Sequence, residues 1–300
     1  MKILFYSREK CKYGMTLVTD DEILWGIFHK RYDCHDIEAT EADIGGDFGV
    51  LARSIFEYVQ KNFQKKTLLY FYKNNSGKVL MWNPEENETK EVACDEQSEL
   101  SPIQLLENFL YTTLIPTDDV IALHGAAVAK DGKAQLLLAS TMCGKSTLTA
   151  FLWQEGYEYI TDDEIFISRS TMRLVPIRRN LSLRQGGYEM LGGSFKKVHN
   201  IYDGKTKTYL VVPENKLKYE SYEIEKVVFL AGYGSDEPYF VKLEPRDAFL
   251  RLLKGQLSSK NSEGNVSEKY SIMANLAKIS YEMRYSDLWM AEKFLKHSQK

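Results

Sequence analysis

The sequence predicts an α/β protein in two parts: a small α+β domain over residues 1–100, and a larger domain over 101–300 in which strands and helices alternate around a mixed sheet. Three observations predict it. The stretch EENETKEVACDEQSELSP (85–102) is acidic, polar and short of large apolar groups, as a linker would be. Beyond residue 120, short apolar runs alternate with segments of helical spacing. Within that region the run AQLLLA leads into small residues, then Gly-Lys-Ser, then an amphipathic stretch, which is the pattern of a strand, a phosphate-cradling loop and a helix.

The bulk properties narrow the class of protein. A chain of 300 residues with a net charge of −3 and no block of like charge does not read as a nucleic-acid binder. No apolar run approaches the roughly 18–20 residues of a membrane span. The N-terminus MKILFYSREKCKYG lacks the apolar core of a signal peptide, so a cytoplasmic protein is expected. Cys11, Cys34, Cys94 and Cys143 are scattered without a C-x-x-C and read as free thiols; His35 beside Cys34 lacks the further ligands of a metal site.

In the first part, KILFY (2–6), EILWGIF (22–28), TLLYFYK (67–73) and VLMWN (79–83) read as strands, the last two flanking the turn NNSGK. FGVLARSIFEYVQKNF (48–63) has the spacing of an amphipathic helix, and KEVAC suits one short strand. SPIQLLENFLYTTLI (101–115) reads as a helix with Ser101 as N-cap and Pro102 in its first turn. VIALHGAAVAK and KAQLLLA then form paired strands about the tight turn KDGK, and a helix runs from Lys145 to a glycine stop at Gly156. Strands follow at YEYIT, EIFISRS, MRLVPIR, TYLVVP, KVVFLAGYG and YEMRYS, with helices at 245–257, near 267–280 and from Asp287. No internal repeat is present.

The loop ASTMCGKST, Ala139, Ser140, Thr141, Met142, Cys143, Gly144, Lys145, Ser146 and Thr147, is the candidate nucleotide site. Its backbone N–H groups and the helix N-terminus favour phosphate, Lys145 reaches the β and γ oxygens, and the Ser146 hydroxyl can ligate Mg²⁺. The general pattern begins with glycine where this chain has Ala139, an exchange that fits if φ there is negative. Met142 is bulky for such a loop and is expected to point outward. Seventeen residues past Lys145, YITDDEIF delivers Asp162 and Asp163 at a strand end, where two acidic roles of phosphoryl transfer, holding Mg²⁺ and deprotonating the acceptor, could be met. His124 closes the strand VIALH and near a phosphate could donate to the anion or move a proton.

Residues 122–167, ALHGAAVAKDGKAQLLLASTMCGKSTLTAFLWQEGYEYITDDEIFI, resemble the core of the HPr kinase/phosphorylase family and its wider HPr-kinase-like set. His124, Lys145, Ser146, Asp162 and Asp163 fall in the family's order and spacing, and VPIRRNLSLRQGG and YEMRYSDLWMAEKFL resemble its outlying members. The resemblance implies the fold shared with phosphoenolpyruvate carboxykinase, with a P-loop at the edge of a mixed sheet, and an ATP- and Mg²⁺-dependent kinase. It gives Lys145 and Ser146 to phosphate and metal, Asp162 the role of general base, Asp163 metal support and His124 a place beside the phosphates. Ala139 and Met142 stand where the family has two glycines, and the glycine-rich signature of the enzymes that modify HPr is absent. The expected acceptor is therefore a serine-type hydroxyl on a peptide, as in the tailoring of ribosomally made lasso peptides, or on a small molecule. A homo-oligomer fits related kinases. The competing readings are a nucleotide-sensing or peptide-binding module with an impaired loop, and a phosphorylase or carboxykinase-like enzyme.

A kinase neutralises the transferring group with more than one lysine. Arg178, Arg179, Arg184, Lys205 and Lys207 are the candidates, and the sequence does not choose among them.

Overall fold

A computed structural model describes residues 1–7, 13–31, 34–37, 48–94, 101–103, 105–106, 109, 120–140, 142–176, 180–193, 195, 199–202, 207–211, 221–234, 236–257 and 266–296. It is a mixed α/β structure whose contacts divide into two compact units: Met1–Ile115 with Val211–Lys216, and Pro116–Leu210 with Leu217–Lys300.

The first unit contains β1 (Lys2–Ser7), β2 (Tyr13–Thr19), α1 (Glu22–Arg31), β3 (His35–Asp36), α2 (Phe48–Phe63), β4 (Lys66–Tyr72), β5 (Lys78–Asn83) and β6 (Glu88–Ala93). Its six strands lie in the order β3-β1-β2-β4-β5-β6, antiparallel except for the parallel pair β2 and β4. Helix α2 buries Leu51, Ala52, Ile55 and Val59, a one-sided stripe, against Ile3, Phe5, Val18, Leu69 and Trp82 of the sheet.

One expectation changes here. EILWGIF is a helix, not a strand: the Asp21 carboxylate accepts hydrogen bonds from the amides of Ile23 and Leu24 at 2.8 and 2.9 Å, and this N-cap outweighs the β-branched and aromatic content. The short strand expected at KEVAC forms as β6, paired along its length with β5. The contact division falls after residue 115. The reason is packing: Ile103, Leu105 and Leu106 are buried, the Tyr70 hydroxyl donates to the Pro102 carbonyl at 2.6 Å, and Phe109 lies 6.0 Å from the Tyr70 ring.

The second unit centres on another six-stranded sheet. Its strands are β8 (Ala126–Lys130), β9 (Lys133–Ala139), β10 (Glu158–Thr161), β16 (Glu223–Tyr233), β17 (Tyr239–Lys242) and β18 (Ser280–Tyr285), in the order β10-β8-β9-β16-β18-β17. β9, β16 and β18 are parallel, and the flanking pairs are antiparallel. The unbroken apolar run of β9 follows from burial on both faces. Ala134, Leu136 and Leu138 face one core with α5 (Pro245–Lys254), α6 (Val266–Lys278) and the three-stranded sheet of β7 (Val120–His124), β11 (Glu164–Ser168) and β12 (Leu174–Val175). Leu137 faces the other core with α3 (Lys145–Gln154) and α7 (Leu288–Lys296). A third small sheet, β13 (Leu181–Arg184), β15 (Lys207–Val211) and β14 (His199–Tyr202), carries the short helix α4 (Gln185–Met190) directly after β13.

Candidate active site

The parallel strand β9 is interior to its sheet, so the loop after Ala139 leaves the carboxyl rim at the sheet's middle, where α/β folds bind ligands. Ala139 is not in the left-handed region, and its Cβ is accommodated there. Met142 is in that region, at φ 70°, and is 82 % exposed; contrary to the expectation that it points away from the loop, it is among the residues that line the cleft. Gly144 follows at φ 80° and is the N-cap of α3 without any side-chain cap. A Cβ on Gly144 would lie 2.9 Å from the Tyr285 hydroxyl, which closes the back of the loop. The first-turn amides of α3 therefore have no capping side chain, and together with the helix dipole they make an anion site. Cys143 is half-buried, Ser140 is exposed on the cleft wall, and Thr141 lies outside the described residues.

Lys145 opens α3 and is only 7 % exposed. Its Nζ lies 3.3 Å from Asp163 Oδ1 and 3.8 Å from Asp162 Oδ1. Both acids sit on the turn between β10 and β11, and Asp163 holds that turn at φ 69°. The two carboxylates differ in setting. Asp163 is 44 % exposed at its side chain and lines the cleft; Asp162 is 1 % exposed, and both its oxygens are buried without a hydrogen bond among the described residues. Burial raises the Asp162 pKa to about 6, and the neighbouring Asp163 charge adds to the rise. Lys145, the Ser146 hydroxyl and the Asp163 amide act the other way; the last two lie near Asp162 but outside hydrogen-bonding geometry.

His124 reaches the same place through the sheet: β7 pairs with β11 so that His124 stands opposite Glu164, and the amide of Gly125 donates to the Asp163 carbonyl at 3.2 Å. A Cβ on Gly125 would lie 2.8 Å from the Leu137 carbonyl and closer still to Leu138 and Ile165, so glycine lets β7 turn into β8 beside the loop. The imidazole is half-buried, and its pKa is lowered by burial first and by the Lys145 charge second, against the pull of Asp163 and Glu164. It is a neutral donor or acceptor at pH 7.

A cleft of about 340 Å³, within the range of about 300–1,000 Å³ common for ligand sites, joins these groups. It is lined by His124, Asp163, Lys145 and the loop, and also by Ser182, Arg184, Gly187 and Lys207. The structure thus brings Lys145, Ser146, Thr147, Asp163 and His124 together on one cleft and Asp162 directly behind it. Of the five basic candidates, Arg184 and Lys207 reach the cleft; Arg178, Arg179 and Lys205 lie outside the described residues. Ser182 and Gly187 were not singled out by sequence. The alternation in LSLR, with Leu181 and Leu183 buried and Ser182 and Arg184 turned the other way, is the signal that could have found the strand.

Among the described residues no group of three or more His, Cys, Asp or Glu side chains could cage a metal by itself. The donor set suits Mg²⁺, which is held by one or two carboxylates together with substrate phosphates: Ser146 offers a hydroxyl, and Asp162 offers two carboxylate oxygens without hydrogen-bond donors.

No protein-family model matches the chain, and no curated protein matches it in sequence. Among solved structures it is similar to the Hpr(Ser) kinase/phosphatase from Coxiella burnetii, at 11 % identity and a TM-score of 0.28, covering 58 % of this chain and 93 % of that one. The chemistry of the cleft follows from its own residues. No helix among the described residues is long and apolar enough to cross a membrane.

Proposed function

We propose that this protein is a Mg²⁺-dependent phosphotransferase that uses ATP as donor and a serine-type hydroxyl, on a peptide or a small molecule, as acceptor. The observation that carries the reading is a buried lysine at an uncapped helix N-terminus, set within 4 Å of two successive carboxylates, one sealed and one open to the cleft. A lone surface Asp pair has no reason to bury one member without hydrogen bonds.

The expectation from resemblance gives the base to Asp162 and the metal to Asp163 with Ser146. Burial favours the opposite division. A general base must come within about 3 Å of the acceptor hydroxyl, and Asp163 lines the cleft whereas Asp162 does not. In this reading the acceptor oxygen attacks the γ-phosphorus, the new P–O bond forms as the bond to the bridging oxygen breaks, and ADP leaves with that electron pair. The hydroxyl proton passes to Asp163. Lys145 and the α3 amides stabilise the charge on the phosphates, and neutral His124 orients the acceptor or the transferred group. Ser146 on the cleft, with the buried Asp162 carboxylate behind it, would hold magnesium, which would supply charge neutralisation at the phosphates.

The test combines thermal unfolding with transfer to serine peptides and small alcohols. ATP with Mg²⁺ is expected to raise the melting temperature, because a ligand bound only by the folded state stabilises it, and Lys145→Ala to remove most of that shift. Asp163→Asn is expected to keep nucleotide binding while lowering kcat by about 10²–10⁴-fold. Binding without transfer to any acceptor, in wild type and variants alike, would make the protein a nucleotide-sensing module. A wild-type protein whose melting point does not move at millimolar nucleotide would remove both readings.

A further inference from the structure

Two basic residues of the cleft stand in one strand register. In the antiparallel ladder of β13 and β15, Arg184 stands directly opposite Lys207. Both residues line the cleft, and Arg184 shares its face of β13 with Ser182. The wall they form is fixed to the phosphate loop's own helix. Arg184 is the residue before α4, and a Cβ on Gly187 of α4 would lie 2.5 Å from the Thr147 hydroxyl in the first turn of α3. The glycine is what allows α4 to approach that closely. The basic pair is thereby tied to the Thr147 side of the helix N-terminus, while Asp162, Asp163 and His124 gather about Lys145 Nζ.

We infer that Arg184 and Lys207 are a clamp for the phosphates of the donor that are not transferred, so that the donor enters along the basic wall and the acceptor along the acidic one. The inference rests on the phosphotransferase reading above and adds a direction to it. An acceptor hydroxyl must approach the group that takes its proton, and that group is on the acidic wall. The leaving diphosphate carries the electron pair of the broken bond and needs cations on its own side, and two of them stand there in strand register. Charge-assisted contacts to phosphate oxygens, bidentate for arginine, suit this role better than a solvated surface pair does. The ligand class is a nucleoside diphosphate or triphosphate; an orthophosphate or a monophosphate would leave one half of the clamp unused.

The experiment is calorimetric titration of the full chain with MgADP and MgATP, for the wild type, for Arg184→Gln/Lys207→Gln and for the charge-keeping exchange Arg184→Lys/Lys207→Arg. The double glutamine variant is expected to lose affinity about 10- to 100-fold, as the loss of charge-assisted bonds gives, and by the same factor for ADP and ATP, because both carry the clamped phosphates. The charge-keeping variant is expected to stay within a few-fold of wild type, which separates lost charge from lost folding. A loss confined to ATP would place the pair on the transferred group and overturn the inference. Unchanged nucleotide affinity with a raised KM for the acceptor would assign the pair to the acceptor and overturn it too. A wild-type chain that binds neither nucleotide would fail the phosphotransferase reading itself, an outcome distinct from either.

Discussion

The first unit places its left-handed, non-glycine backbone positions at Gln64, Asn75 and Asn87, all polar and all exposed; the second has Asp131 and Met172 in turns away from the cleft, and Met142 and Asp163 on the Gly-Lys-Ser loop and the acidic turn. The same contrast holds for buried polar groups. In the first unit the buried hydroxyls of Thr16 and Thr67 bond each other at 2.8 Å, whereas in the second Asp162 keeps both oxygens sealed without a hydrogen bond among the described residues. Asparagine and aspartate tolerate the left-handed region, whereas Gln64 in the first unit and Met142 and Met172 in the second bear its conformational cost. Two six-stranded mixed sheets thus solve the same folding problem, and the second unit differs in setting a left-handed methionine beside a sealed carboxylate whose partner is Lys145 at 3.8 Å.

The largest way to break that comparison is at Asp162. Its carboxyl is protonated up to about pH 6 in the fold and only to about its ordinary 3.8 when unfolded. Between those values the folded chain holds more protons, so this group's stability contribution falls as pH rises from about 4 to 6, and the full penalty stands above 6. The difference corresponds to about 3 kcal/mol. Asp162→Asn removes the penalty and sacrifices the 3.8 Å ion pair to Lys145. It is therefore expected to stabilise the ligand-free protein by about 1–3 kcal/mol at pH 8 and to have little effect at pH 4. Denaturant unfolding at the two pH values measures this. A variant less stable than wild type at pH 8 would mean that the carboxylate is satisfied, and the contrast between the units would lose its main support.

A substitution behind the loop is expected to act next most strongly. Gly144→Ala must hold φ 80° and bring a Cβ to 2.9 Å from the Tyr285 hydroxyl. The left-handed conformation alone costs about 1–2 kcal/mol for a residue with a Cβ, so a total loss of about 2 kcal/mol is expected. Adding Tyr285→Phe should recover the collision and leave the backbone cost. Full recovery in the double variant would show that the left-handed conformation at 144 is not under strain.

How much of this was legible follows from what each feature depends on. The loop with Lys145 and Ser146 stood out because a strand, a turn and a helix in succession are local; Asp162 and Asp163 stood out only beside that loop, and His124 through the family resemblance. The fold class came from the same alternation. Helix α1 was misread because one N-cap carboxylate, Asp21, outweighed seven residues of strand-like composition. The difference in burial between Asp162 and Asp163 was invisible because adjacent residues at a strand end take their environment from what packs over them. The choice of Arg184 and Lys207 depended on a pairing across more than twenty residues, which no local pattern encodes.

The smallest expected effect is at Met142, and it sharpens the comparison most directly. Its side chain is 82 % exposed, so truncation forfeits almost no burial. Met142→Gly relieves a left-handed cost of about 1–2 kcal/mol and adds unfolded-state entropy of about 0.5–1 kcal/mol, leaving a net gain of about 0–1.5 kcal/mol. Asn75→Gly in the first unit makes the same backbone change at φ 60°, but asparagine already tolerates that region, so its gain should be smaller or nil. Thermal unfolding of the two variants beside wild type reads the difference, and nucleotide affinity of Met142→Gly should be equal or tighter. If Met142→Gly weakens nucleotide binding, the methionine side chain packs on the ligand, and its left-handed position is maintained for contact rather than merely tolerated.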